Sequence, residues 1–599
     1  MSDDKSLAIT PMSVLLIMMI LAAMALIATG CHKAGDMGEV TPWDEFATPE
    51  LAPPSGGTTP IPTESPVVIP DPDTTPNPYS LSSVKLVKLN DEEAAAGAPV
   101  PLRFKVKAVF SRALSDEEKA AVEAGFKILN PADEAVLCTP LWNDTSDQVV
   151  FTLGATLAYN TKYKLSVAGV DGEFRTHVRA DINGDGFSDM LADEPLYSDA
   201  GGVVGRVWLI SGKGIPPMTA GPLVGKNDGD YFGTKAVIVG DMNGDGYEDV
   251  AVSAPGFGAN DTGKIYIYAG PSLTSLAELA STETDQNYQG LGNSMAGGCD
   301  INNDGLADLI VGAPFYNSNA GRVYVIRGGN PPAVHAKYDA PPSFGAENLG
   351  SAVACVFDQN GDNYHDVIAG APSSGTGVGR IVLLKGPSLE LLSARAGDVS
   401  GDKGFGRSLA VISDQDGDKI PDIIVGAPDT DSNKGLVRLV KGGADISATA
   451  SLSITAPLTD PNDKFGSSVT SIPDIDPTLD GKDDILVGAQ GFDQTPDDNR
   501  GAIFAYKVTS TGLVLITQRI GSMPGAGLGA SLARIGDVNG DGKQDILAGE
   551  PGANSLPPPA KGKIIIVDST AIPAPAPFAF QNGLTSSVFL GISVGGVTP

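Results

Sequence analysis

The chain is predicted to be all-β: a seven-bladed β-propeller that follows a proline-rich tether and a small β-sandwich. Three observations predict it. The stretch Asp241-Met242-Asn243-Gly244-Asp245-Gly246-Tyr247-Glu248-Asp249 carries side-chain oxygens at positions 1, 3, 5 and 9, with glycine at position 6, and the same loop begins at Asp181, Asp241, Asp300, Asp358, Asp414, Asp474 and Asp537. A return at intervals of roughly 60 residues is the signature of a repeat architecture. Second, short apolar strands flank each loop: an opening pair such as Phe232-Gly233 or Leu291-Gly292, the loop, a strand running into Gly312-Ala313-Pro314 or its variants, and a third strand such as Gly263 to Tyr268. About 60 residues leave room for a fourth strand, and four-stranded sheets repeated radially make a propeller. Third, the first repeat lacks its opening strand, and the missing piece stands at the far end, from Phe589-Leu590-Gly591 to Val597. A tail strand in the first blade closes the ring and removes sticky sheet edges.

Residues 1–30 read as an export signal. Val14 to Ala28 is an apolar run of signal length, too short to span a bilayer comfortably. It ends at Ala28-Thr29-Gly30-Cys31, which resembles a bacterial lipoprotein signal; the resemblance implies that Cys31 is acylated. Asp3 and Asp4 outweigh Lys5, unlike the usual basic start, so an uncleaved membrane anchor is the alternative. Either reading exports the chain and places it in the cell envelope or at the surface. Residues 31–80 form the tether, with 11 prolines between Thr41 and Ser80. Such a segment packs no core and favours extended polyproline II.

Residues 81–178 form the small domain. Leu102, Phe104, Val106 and Ala108 alternate with charged residues, the pattern of a half-buried strand. Val149 to Leu153 and Tyr163 to Val167 read as further strands, and Ser115 with Glu118 marks the start of a short helix. The stretches around Lys105 to Ser111 and Leu157 to Val167 resemble bacterial Ig-like domains, which implies a spacer. Cys138 reads as a small buried residue. Four cysteines are too few for a disulfide scaffold. Cys299 and Cys355 precede successive loops, and their pairing stays open, because spacing cannot place their Cα atoms.

Residues 179–599 carry the repeats. The loops offer Asp181, Asn183, Asp185 and Asp189; Asp241, Asn243, Asp245 and Asp249; Asp300, Asn302, Asp304 and Asp308; Asp358, Asn360, Asp362 and Asp366; Asp414, Asp416, Asp418 and Asp422; Asp474, Asp476, Asp480 and Asp484; Asp537, Asn539, Asp541 and Asp545. Oxygen donors at alternate positions of a tight loop suit Ca²⁺, up to seven ions in a structural role, with the position-7 carbonyl adding a ligand. Asn363 replaces glycine in the fourth loop and tolerates a left-handed backbone. Lys419 replaces it in the fifth, at a cost in strain and added charge. The sixth carries two extra residues. Position 12 of the second loop is Val252 within a strand, so the EF-hand is excluded. A metal-free Asp/Asn turn is the alternative for any one loop; seven copies favour metal.

The Phe-Gly opening, acidic loop and Gly-Ala-Pro strand together resemble FG-GAP repeats, which build the seven-bladed head of integrin α subunits. The resemblance covers roughly residues 179–599. It implies recognition or adhesion through a protein or glycan ligand on a loop face. A formal charge of −32 disfavours nucleic acid. Gly591-Ile592-Ser593-Val594-Gly595 matches a hydrolase pattern, but it lies in the expected latch strand without the strand–turn–helix setting that motif needs. His32, His177, His335 and His365 form no cluster, and His365 reads as a solvent-facing loop residue. A non-enzymatic surface module is therefore expected. An accessory to a secreted hydrolase system and a purely structural envelope protein are the alternatives.

Overall fold

Short β-branched and apolar runs, punctuated by glycine and asparagine turns, give a chain of strands with a single helix of more than one turn among the described residues. The computed structural model describes residues 67–68, 81–87, 594–595 and 105–567, the last apart from 154–156, 158–161, 169, 176–178, 200–201, 213–221, 259–260, 281–288, 374–376, 399–401, 448–450, 456–459, 476–480, 496–497, 510–511, 539–543 and 553–562. The expected signal run, Cys31 and most of the tether lie outside the described residues. So do His32, His177, Asp476, Asp480, Asn539, Asp541 and Ser593. Among the described residues no helix is long and apolar enough to cross a membrane.

The small domain consists of two antiparallel sheets. Alternation puts Val106, Ala108 and Phe110 of the strand Lys105–Phe110 into one core with Val149, Phe151, Tyr163 and Leu165. The helix Asp116–Gly125 starts where expected. Ser115 Oγ accepts from the Glu118 N–H at 3.3 Å, and Glu118 Oε2 accepts from the Ser115 N–H at 2.9 Å, so two orphan donors are satisfied at once. Two expectations need correction. Val67–Val68, inside the stretch read as tether, pairs with Val170–Arg175 as an edge strand. Cys138 is half-buried because it opens the edge strand Cys138–Trp142; burial still pushes its thiol up to about 11.

From Met190 onward the strands form, among the described residues, seven successive antiparallel sheets of three or four strands, and a two-stranded hairpin of Ser198–Asp199 with Gly202–Val203. The second is typical, with Ala236–Gly240, Asp249–Ala254, Lys264–Ala269 and Thr274–Ala280 in order. Its second strand is buried on both faces, whereas its fourth is largely exposed. The first strands of the second to seventh sheets, Ala236–Gly240, Ser294–Cys299, Ala352–Val356, Ser408–Ile412, Phe465–Ile472 and Leu532–Arg534, touch in sequence. Val594–Gly595 then packs between the last of these and the first. This tail strand pairs with Met190–Glu194, with Leu191 opposite Gly595 and Ala192 opposite Val594. The tail strand thus joins the first sheet, as expected of a latch. The inner strands line an axial cavity of about 370 Å³.

The repeat glycines mark where one blade meets the next. A Cβ on Gly370 would lie 2.0 Å from the Gly406 carbonyl oxygen, and one on Gly426 would lie 2.2 Å from that of Gly466. The glycine of Gly-Ala-Pro therefore faces the glycine of the next Phe-Gly. Serine hydroxyls stitch the same seam: Ser294, Ser408 and Ser468 donate to the Gly350, Gly466 and Gly529 carbonyls at 2.8, 2.9 and 2.7 Å. The phenylalanines Phe232, Phe405 and Phe465 are fully buried beneath it. Cys299 and Cys355 form a disulfide between the inner strands of the third and fourth blades, with Cα atoms 6.1 Å apart.

Candidate metal centre

From the second blade on, each acidic loop lies between a blade's inner strand and its second strand; the first leads from the small domain into Met190–Glu194 of the first blade. In a meander this places all of them on one end of the ring. Contacts between loops agree: the Ser188 N–H donates to the Asp537 carbonyl at 3.2 Å, that of Ala307 to the Asp241 carbonyl at 2.9 Å, and Lys482 Nζ to the Gln415 carbonyl at 2.6 Å.

Within a loop the carboxylates organise the backbone. In the second loop, Asp241 Oδ1 accepts from the Gly244 N–H at 2.6 Å and Oδ2 from the Gly246 N–H at 2.8 Å. Asn243 Oδ1 accepts from the Asp245 N–H at 2.7 Å, and Asp245 Oδ1 from the Tyr247 N–H at 2.9 Å. The first loop repeats this through Asp181, Asn183 and Asp185. In the third, fourth and fifth loops the position-1 residues Asp300, Asp358 and Asp414 likewise accept from the position-6 N–H. Position 6 needs a left-handed backbone: φ is +88° at Gly246, +68° at Asn363 and +73° at Lys419. In the sixth loop Gly481, with φ +79°, donates to Asp474 at 2.6 Å, so the contact between positions 1 and 6 is kept there too.

The position-9 aspartate is buried in every loop. Asp189, Asp249, Asp308, Asp366 and Asp545 have no exposed surface, and Asp422 and Asp484 are 2% exposed. One of its oxygens accepts from the position-2 N–H, as Asp249 does from Met242 at 2.9 Å. The other accepts from a glycine at the end of the blade's third strand: Gly270 to Asp249 at 3.1 Å, Gly328 to Asp308 at 2.8 Å, Gly386 to Asp366 at 2.9 Å and Gly442 to Asp422 at 2.8 Å. Sequence reasoning missed these glycines. Their near-constant offset after position 9, 21 residues in the second blade and 20 in the next three, was the available signal. It also missed that position 4 is left-handed, with φ +79° at Gly244 and +57° at Asn303.

Burial and crowding act together on these groups. Burial, then the Asp181 and Asp185 charges, pushes Asp189 up to about 8. Burial and Asp245 push Asp241 up to about 7, and Asp249 is raised well above the usual carboxylate range. Asp308 rises to about 7, and Asp366 and Asp422 to about 6, burial again leading. A buried carboxylate cluster with such shifts favours a positive partner. The donors are all oxygens, which fits a hard divalent cation rather than zinc or copper. In the fifth loop, Asp414, Asp416 and Asp418 each bring one oxygen within 4.8 Å of the others. His365 is not the solvent-facing residue expected. It is half-buried, edge-on to Phe357, with Nδ1 3.9 Å from Cys355 Sγ.

The chain carries FG-GAP repeats: the family described as "FG-GAP repeat" matches residues 232–268, 291–326 and 529–567. It has integrin alpha homologues. Integrin alpha-IIb of Mus musculus is 36% identical over 155 residues, which is 24% of this chain and 15% of that protein. Integrin alpha-5 of Xenopus laevis is 32% identical over 256 residues, 40% of this chain and 23% of that protein. Phosphatidylinositol-glycan-specific phospholipase D of Bos taurus is 36% identical over 151 residues, 23% of this chain and 18% of that protein. The chain thus spans under a quarter of the length of these three relatives. A solved structure of the Dos1 propeller aligns over 78% of this chain and 89% of its own at 12% identity, with a TM-score of 0.38.

Proposed function

We propose that the chain is an exported recognition or adhesion module, tethered to a membrane through its N-terminus, whose integrin alpha-like propeller is stabilised by calcium. The side chains at positions 1, 3, 5 and 9 of each loop hold the ion. When bound, Ca²⁺ neutralises the crowded carboxylates and cross-links the two strand ends that the loop joins. The observation that carries the reading is the separation of the two ends of the ring. One end gathers the acidic loops. The hairpins between second and third strands project from the other, where Asn317, Ser318 and Asn319 are exposed on a left-handed turn, and so are Asp431 and Ser432 on a second one. That end is the ligand face, and a protein or glycan is its partner.

The reading is non-enzymatic. The hydrolase-like pattern at the tail contributes Val594–Gly595 to the first blade, a structural use. His335 lies exposed on an outer strand. The bovine phospholipase relative favours a second reading, an accessory to a secreted hydrolase, and a hydrolase screen of the purified chain tests it. The first reading is tested with protein and glycan arrays probed in calcium and again in chelator. Binding that is lost in chelator is expected. No ligand in either condition, or no uptake of calcium by calorimetry, overturns it.

A further inference from the structure

The acidic loops are not alike in what surrounds them. The residue just before the glycine that donates to position 9 lies beside the loop. In the fourth blade it is Lys385, before Gly386; in the fifth it is Lys441, before Gly442. Lys385 Nζ is 3.1 Å from Asp362 Oδ2. Lys441 Nζ is 2.5 Å from Asp416 Oδ2 and 3.2 Å from Asp418 Oδ2. Both ammonium groups therefore sit on position-3 or position-5 carboxylates, the oxygens that a divalent ion would take. The first and second blades hold Ser211 and Ala269 at the same register. Ser211 Oγ donates to Asp185 Oδ2 at 2.9 Å and brings no charge. Arg327 holds the place in the third blade, but it is exposed and no ion pair joins it to the loop carboxylates among the described residues.

We propose that Lys385 and Lys441 are tethered counter-cations that compete with the metal for the fourth and fifth loops, so the propeller has two classes of calcium site. The first three loops carry no lysine at this register and take the ion more tightly. The fourth and fifth keep their strand ends together without it and exchange it readily. This rests on the calcium reading above. The physical basis is direct: an ammonium about 5 Å from a doubly charged ion in a solvated loop opposes binding by about tenfold. Its competitor role also means that the carboxylates repel one another less when the ion is gone.

The test uses the full chain. Lys385→Gln and Lys441→Gln are each titrated with calcium by calorimetry and melted in chelator. Each is expected to bind one ion about tenfold tighter than the parent and to melt lower than the parent in chelator. Lys385→Arg and Lys441→Arg, which keep the charge, are expected to restore the parent isotherm. If the parent binds calcium and the glutamine variants give superimposable isotherms, the lysine proposal alone is overturned. If the parent takes up no calcium, the metal reading falls and this proposal with it.

Discussion

Asp249 is fully buried beside Asp241 and Asp245, and its charged form is correspondingly costly. Asp249→Asn therefore has opposite effects in two conditions. In calcium, on the proposed reading, it removes a ligand, and the melting temperature should fall by a few degrees or more. In chelator it removes a buried charge, and the melting temperature should hold or rise. Scanning calorimetry in both buffers checks the pair of signs. The same logic sets the pH dependence of the chelated protein. Asp189, Asp241 and Asp308 titrate near 8, 7 and 7 when folded, against an ordinary value of 3.8. The folded state thus prefers their protonated forms. The stability they contribute is full below about pH 4 and is lost as pH climbs through 6 to 8. In chelator the melting temperature should decline as pH rises from about 4 to about 8, and on the proposed calcium reading the ion should flatten that slope.

The blade is held to its neighbour by backbone contact, and glycine is what permits it. Gly435 has φ +93°, and a Cβ there would lie 2.0 Å from the Phe465 carbonyl oxygen. Gly435→Ala should cost about 3 kcal/mol, from overpacking and left-handed strain together, read as a drop in denaturant midpoint. Gly512→Ala isolates the backbone strain from the overpacking, since its φ is +145° and nothing lies within 4 Å of its Cβ position. The Phe-Gly and Gly-Ala-Pro pairs were visible as motifs in the bare sequence. Their reason was not. It requires knowing that Gly426 of one blade abuts Gly466 of the next, 40 positions on. The position-6 turns were legible down to Asn363 and Lys419, because a left-handed residue is a local demand. The glycine anchors Gly270, Gly328, Gly386 and Gly442 were not, because they act across a strand pair.

Closure and cross-linking belong to the ring. Val594–Gly595 completes the first sheet, so deleting residues 585–599 should lower the melting temperature sharply or cause aggregation, with light scattering as the readout. The disulfide ties the third and fourth inner strands across a 56-residue loop. Replacing both Cys299 and Cys355 with serine should lower stability by about 2–4 kcal/mol, measured by chemical denaturation. Repeat period, strand order, the acidic loops' positions and the tail strand's place all follow from the linear order of residues, since each depends on spacing along the chain or on local backbone preference. The disulfide, the half-buried His365, the edge strand Val67–Val68 and the lysines over the fourth and fifth loops do not. Those depend on which blade or strand lies beside which, and at what distance, and that is settled only when the sheets pack around a common axis.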